Sequence, residues 1–321
     1  MHRALLVLAA AAVLVSIAAP VRAADWPSRP VTVVVPFAAG GNTDMMARLG
    51  AQHLSAKFGQ TFVVENRPSA GGALGTGVVA AAPDGYTHLF AASSMITLTP
   101  QLQKLNFNPE QQLVPITNVG TGTQMIAIKR DLPVKTLPEF ISYAKANPGK
   151  LNFTVAGTQN ISHLAPALLF ARAGIDLVMV PSKGGPQAVS DLMSGQVDLY
   201  FGNSSELLPH IDSDRIRLIA VGTAQRLATA PDIPSVSETL PGFEFSSWNG
   251  FLAPTGTAEP IITAIRNEIT VLAKSPEVTE RLTKLGIVPG GLTNEQNEAV
   301  FRKDRESFAA AIKAAGIAAP Q

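Results

Sequence analysis

Short apolar, β-branched runs alternate along this chain with longer stretches whose apolar positions recur at helical spacing. Val31 to Val35 is one such run, of the kind that suits a strand buried on both faces of a parallel sheet. It ends at Pro36-Phe37-Ala38-Ala39-Gly40-Gly41, after which Asn42 and Thr43 offer caps for a helix beginning near Asp44. Phe62-Val63-Val64 predicts a second strand, followed by a loop through Gly72 and a helix to about Ala81. After the turn Pro83-Asp84-Gly85, Thr87 to Ala91 predicts a third strand, with Ser93-Ser94 at its C-terminal end. Strands alternating with helices in this way predict an α/β fold, its mostly parallel sheet flanked by helices.

The alternation restarts near residue 125. Met125 to Ile128 predicts a strand, and Thr136-Leu137-Pro138-Glu139 is a capping box opening a helix with Leu137, Phe140, Ile141 and Ala144 on one face. Asn152 to Val155 and Leu177 to Val180 predict strands, each leading through a small-residue loop into a helix. Val197 to Phe201 and Arg217 to Val221 predict two more. The tail is helical, with Pro260, Ser275-Pro276-Glu277 and the box Thr293-Asn294-Glu295-Gln296 as starts. Two βα blocks of similar size predict two lobes, each a mostly parallel sheet flanked by helices. We place one at 24–124 plus 250–321 and the other at 125–249, with hinge crossings near Gly122–Gln124 and Trp248–Phe251.

The first residues change the picture. Met1-His2-Arg3 is basic, Ala4 to Ala19 is almost wholly apolar, and Val21-Arg22-Ala23 ends in small residues. That order predicts a secretory signal peptide over residues 1–23 and a periplasmic mature protein. Its apolar core is shorter than the roughly 20 residues a spanning helix needs. The chain has no cysteine, so neither disulfides nor a lipid-modified N-terminal thiol enters the argument. Removing Arg3 and Arg22 leaves 23 basic residues against 24 acidic ones. A near-neutral chain without basic runs argues against nucleic acid as a partner.

Five loops, at 37–43, 66–75, 92–94, 157–162 and 182–187, each follow a strand, are rich in Gly, Ser, Thr or Asn, and precede a helix. Ligands of open α/β sheets bind where such loops collect, and the free N–H groups at helix starts attract carboxylates. Gly75-Thr76-Gly77-Val78-Val79-Ala80 matches a dinucleotide fingerprint only loosely. Its strand ends ten residues earlier, and no acidic residue follows at the right distance. No phosphate loop, His-Glu-x-x-His or Gly-x-Ser-x-Gly elbow is present, and no histidine has a metal-ligand partner at helical spacing. His163, at a helix start, is the histidine best placed to line a cleft. Lys183 and Arg67 are the two cations on the loops, and the amides beside them are the stronger candidates for ligand contact.

Trp26-Pro27-Ser28-Arg29-Pro30, Val35-Pro36-Phe37-Ala38-Ala39-Gly40-Gly41-Asn42-Thr43-Asp44 and Val64-Glu65-Asn66-Arg67-Pro68 resemble the start of the Bug family, the periplasmic TctC receptors of tripartite tricarboxylate transporters. Ala82-Pro83-Asp84-Gly85-Tyr86-Thr87, Val180-Pro181-Ser182-Lys183-Gly184-Gly185, Gly195-Gln196-Val197-Asp198, Pro231-Asp232-Ile233-Pro234-Ser235-Val236 and Trp248-Asn249-Gly250 extend the likeness through the mature chain. The resemblance implies a monomeric, two-lobed receptor without cofactor or enzymatic activity. It would close on a small organic acid through backbone amides and hydroxyls, with the membrane subunits of such a transporter as partners. Its ligand residues would fall on Phe37, Ala38, Ala39, Gly41, Thr43, Ser93, Ser94, Thr158, Gln159, Asn160, His163, Ser182, Gly184 and Asn203. The chain departs from the family pattern at Ser69, Gln159, Asn160 and Ser182, and Pro166 interrupts a helix. Competing readings are an exported α/β hydrolase or transferase, for which only the neighbours Ser162 and His163 approach a nucleophile–base pair, and a receptor that feeds a sensor.

Overall fold

The computed structural model describes residues 26–317, so the signal peptide read at 1–23 lies outside the described residues. The chain opens with β1 (Val31–Val35), α1 (Asn42–Phe58), β2 (Phe62–Asn66), α2 (Ala73–Ala80) and β3 (Thr87–Ala92). Strand β1 lies between β2 and β3, parallel to both, and four of its five residues are buried. Helix α1 carries Asp44 in its first turn and Lys57 in its last, charges that complement the helix dipole. Gly59 ends it at φ 67°, where a side chain would be strained, and turns its N–H back to Ser55 O.

Strand β4 (Leu113–Lys129) is far longer than the four residues read from sequence. Pro115, Asn118, Gly120 and Gly122 look like turn residues. The sheet absorbs the first three as register shifts, between Pro115 and Thr117 and between Asn118 and Gly120. Beyond β4 come α3 (Leu137–Ala146), β5 (Asn152–Ala156), α4 (Ile161–Ala173), β6 (Val178–Ser182), α5 (Gly185–Met193), β7 (Leu199–Asn203) and β8 (Ile216–Val221). Strand β5 is parallel to β6 and β7. The tail holds β9 (Ser246–Pro254), α6 (Glu259–Lys274), α7 (Pro276–Lys284), β10 (Ile287–Pro289) and α8 (Asn294–Ala314).

The strand order β2-β1-β3-β9-β4-β7-β5-β6 puts the parallel βα repeats at the two ends. The centre is antiparallel, because β9 and β4 carry the chain between halves rather than through crossover helices. Strand β4 belongs to both halves: Leu113–Thr123 pairs with β9, and Gln124–Lys129 pairs with β7 and β8.

Each half has its own core. Val31, Val33, Met46, Leu54, Phe251, Ile265 and Ile269 are buried together in the first. Phe140, Phe153, Val155, Leu164, Leu169 and Phe201 are buried in the second. Each such apolar side chain contributes about 1.5–3 kcal/mol on burial. Helix α8 touches both sides. Its Phe301 meets Trp248 edge-on at 5.1 Å, whereas Phe308, Ala311 and Ile312 join the second core, with Phe308 stacked on Phe245.

Candidate functional site

The carboxyl ends of β1, β3, β5 and β7 face one cleft between the halves. One wall is built from Phe37 after β1, Gly41, Asn42 and Thr43 at the start of α1, Ala92 and Ser94 at the end of β3, and Ser247 on β9. The facing wall is Ala156 at the end of β5, Asn160, Ile161 and Ser162 at the start of α4, Asn203 at the end of β7, and Glu206 on the short helix Ser204–Leu207. They enclose a cavity of about 50 Å³. Asn42 N–H donates to Glu206 Oε1 (3.2 Å), Ser205 Oγ donates to Asn42 Oδ1 (2.8 Å), and Gly71 N–H donates to Thr158 O (3.1 Å). These contacts tie one wall to the other, so the cleft is closed.

The two walls offer different groups. Helix α1 has Gly41 at its N-cap and no side-chain cap, which leaves first-turn amides to other partners. Helix α4 is capped by Asn160, whose Oδ1 accepts Ser162 N–H at 2.9 Å while its Nδ2 reaches Ala156 O at 3.3 Å. Asn160 therefore faces the cavity with half of its amide committed. The Thr43 hydroxyl donates to Asn249 Oδ1 and keeps acceptor capacity, whereas Ser94 Oγ is buried without a partner.

Of the residues singled out in the sequence, Phe37, Gly41, Thr43, Ser94, Asn160 and Asn203 line the cavity together. The others surround it. Ser93 Oγ donates to Asp304 at 2.5 Å, and Ser182 Oγ donates to Val155 O and Gly184 O. Gly184 packs where a Cβ would lie 2.7 Å from the Ala38 methyl, so Ala38 and Gly184 form a contact between the walls. Thr158 accepts the Gly71 amide, and Ala39 faces a shallow surface hollow beside Arg48. Gln159 holds a left-handed backbone (φ 59°) and donates its N–H to His163 Nδ1 at 3.4 Å. Burial lowers the His163 pKa, so its ring is a neutral acceptor.

Glu206 lines the cleft, and Asp44 lies just behind it in the first turn of α1. Burial pushes the Asp44 carboxyl up, but hydrogen bonds from Arg48, Gly40 N–H and Asn66 hold it below its ordinary value. Glu206 accepts from Tyr200 OH (2.7 Å), Asn203 N–H, Asn203 Nδ2 and Asn42 N–H, yet burial raises its pKa. The sequence reading missed Glu206. Asn203-Ser204-Ser205-Glu206 has capping-box spacing, and the structure forms that box, so a signal was present. Ser247 and Ala156 carried no signal, because each is an ordinary strand residue until the halves meet. The lining contains no Lys, Arg or His, and His163, next to the lining Ser162, accepts at Nδ1 from Gln159 N–H rather than from a serine hydroxyl. Such a cavity can hold a small polar molecule by hydrogen bonds.

Two α/β lobes with a walled, cation-free cleft between them define the class of solute-binding proteins. The family model described as "Tripartite tricarboxylate transporter family receptor" matches residues 46–317. The UPF0065 protein of the tcbD–tcbE intergenic region of Pseudomonas sp. strain P51 is 34% identical over 286 residues, 88% of this chain and 85% of that protein. A solved R. palustris protein with adipate is 31% identical at TM-score 0.88, covering 92% of this chain and 100% of that one. MatC from Rhodopseudomonas palustris with bound malate is 29% identical at TM-score 0.83, covering 89% and 100%. The chain belongs to the tripartite tricarboxylate transporter receptor (TctC) family.

Proposed function

We propose that this protein captures a small carboxylate-bearing molecule in the periplasm, between lobes that hinge within Gly122–Gln124 of β4 and at Phe245–Ser246 where β9 begins. It then presents the molecule to the membrane subunits of a tripartite tricarboxylate-type transporter. The second crossing is moved from the Trp248–Phe251 expected from the sequence, because β9 pairs with the first half from Ser246 onward. The observation that carries the reading is the cleft itself: unpartnered Ser94 Oγ, the uncapped start of α1 and cleft hydroxyls converge on one cavity that holds no catalytic pair. Hydrogen-bond donors at a helix start suit an anion without a dedicated arginine. Relatives of the same fold were solved with adipate and with malate, which supports a carboxylate ligand. The hydrogen bonds that join the walls, Asn42 to Glu206, Ser205 to Asn42 and Gly71 to Thr158, must part to admit a ligand, which supports hinge opening. The basic start, apolar run and small-residue end read over residues 1–23 support export. Small-angle scattering with and without the acid that co-purifies with the periplasmic protein tests the reading: the radius of gyration should fall on binding, and an unchanged value would remove the hinge.

A further inference from the structure

Glu206 places a carboxylate inside a cleft that is read as a carboxylate site. Its four hydrogen-bond contacts, from Asn42 N–H, Asn203 N–H, Asn203 Nδ2 and Tyr200 OH, are all with donors, which fits the ionised form. No Lys or Arg lines this cavity; Arg215 and His210 line only the separate surface hollow that Glu206 also borders, and neither hydrogen-bonds the carboxylate. The carboxyl sits on the seam between the lobes. A Cβ on Gly41 would lie 3.6 Å from Oε1 and one on Gly185 only 2.1 Å away, so glycine at 185 makes the room it occupies. One of its four donors, Asn42 N–H, belongs to the first turn of the 17-residue helix α1, which has no side-chain cap of its own. The protein's own acid thus fills a position at a helix start that a ligand carboxylate would otherwise take.

Resting on the carboxylate-binding reading, we infer that Glu206 sets the ligand's charge: this cleft selects a monocarboxylate whose far end is neutral or hydrogen-bond-donating, and it rejects dicarboxylates. A second ligand carboxylate would meet a buried like charge with no cation between them, and the low local dielectric makes that repulsion strong. The raised pKa of Glu206 agrees, because this pocket already tolerates one negative charge poorly. Ser94 Oγ, buried and unpartnered on the opposite wall, is the donor left for the single carboxylate.

The test is competitive calorimetry with two matched pairs, adipate against adipic acid monoamide and succinate against succinamate, on the mature protein and on Glu206→Gln. The wild type should bind each monoamide at least tenfold more tightly than its diacid. Glu206→Gln keeps the side chain's size and removes its charge, and it should shrink that ratio to about threefold or less. The wild-type ratio stands as a test even if the variant does not fold. A wild type that prefers the diacids, or a ratio unchanged in a folded Glu206→Gln, would overturn the inference while leaving carboxylate binding intact. Failure of all four compounds to bind would overturn the carboxylate reading, and this inference with it.

Discussion

Asp44 and Glu206 each sit within the first turn of a helix that starts at the cleft, but only Glu206 lines it, and the surroundings give them opposite character. Asp44 accepts from the Arg48 guanidinium, the Gly40 amide and Asn66, and a cation one helical turn away makes its charge comfortable. Glu206 has four donors and no cation, and its pKa rises. Hydrogen bonds alone do not balance the desolvation of a buried carboxylate, whereas hydrogen bonds with one adjacent guanidinium do. The first lobe's acid is built into its frame. The second lobe's acid is left facing the ligand space.

The sharpest way to break this contrast is to remove each acid. Asp44→Ala should lower the unfolding free energy by about 2–3 kcal/mol, because it strands the Gly40 amide and the Asn66 side chain. Glu206→Gln should cost far less at neutral pH, since it trades a poorly tolerated charge for a neutral amide. Urea titrations of the two variants check the ordering, and equal losses would erase the distinction.

Their pH dependence should also run in opposite directions. The Asp44 contribution is full above its ordinary value of 3.8 and is lost as pH falls through the lowered folded value. The Glu206 contribution is full below 4.5 and is lost as pH rises through its raised folded value. Between pH 3 and pH 7, Glu206→Gln should therefore gain on the wild type as pH rises above 4.5, while the Asp44→Asn deficit should grow only up to 3.8 and stay constant above it. Melting curves across that range read both slopes.

A third acid sharpens the comparison from outside the cleft. Burial pushes the Asp304 carboxyl to about 6, against the hydrogen bond from Ser93 and the nearby Lys303 and Arg305. Its contribution is full below 3.8 and is lost as pH rises through about 6. Asp304→Asn should be more stable than the wild type by about 1–2 kcal/mol at pH 8 and level with it at pH 4. Thermal melts at the two pH values suffice. The smallest effect belongs to the second lobe's helix cap: Asn160→Ala should cost about 1 kcal/mol of stability through loss of the bond to Ser162 N–H. Ligand affinity should fall as well, because Asn160 also lines the cavity.

The same contrast marks what the sequence could show. Local signals survive folding, so the Val31–Val35 run, the Thr136 and Thr293 caps and the loops at 37–43 and 157–162 appear where their chemistry predicts them. Strand β4 was mostly hidden, because Pro115, Asn118 and Gly120 read as breakers until bulges accommodate them between β9 and β10. Ser93 and Ser94 are adjacent and identical in sequence, yet one points to Asp304 and the other into the cleft. That choice depends on helix α8, which arrives more than 200 residues later. Glu206 was legible as a capping-box member but not as a cleft acid, since its environment comes from Asn42 across the seam.

Capture of the natural ligand tests the central claim most directly. Mature protein is stripped by unfolding and refolding, equilibrated with a periplasmic extract, washed, denatured, and its released small molecules are weighed by mass spectrometry. The account predicts one small molecule per chain carrying a carboxylate. A stoichiometric ligand without a carboxylate would contradict it.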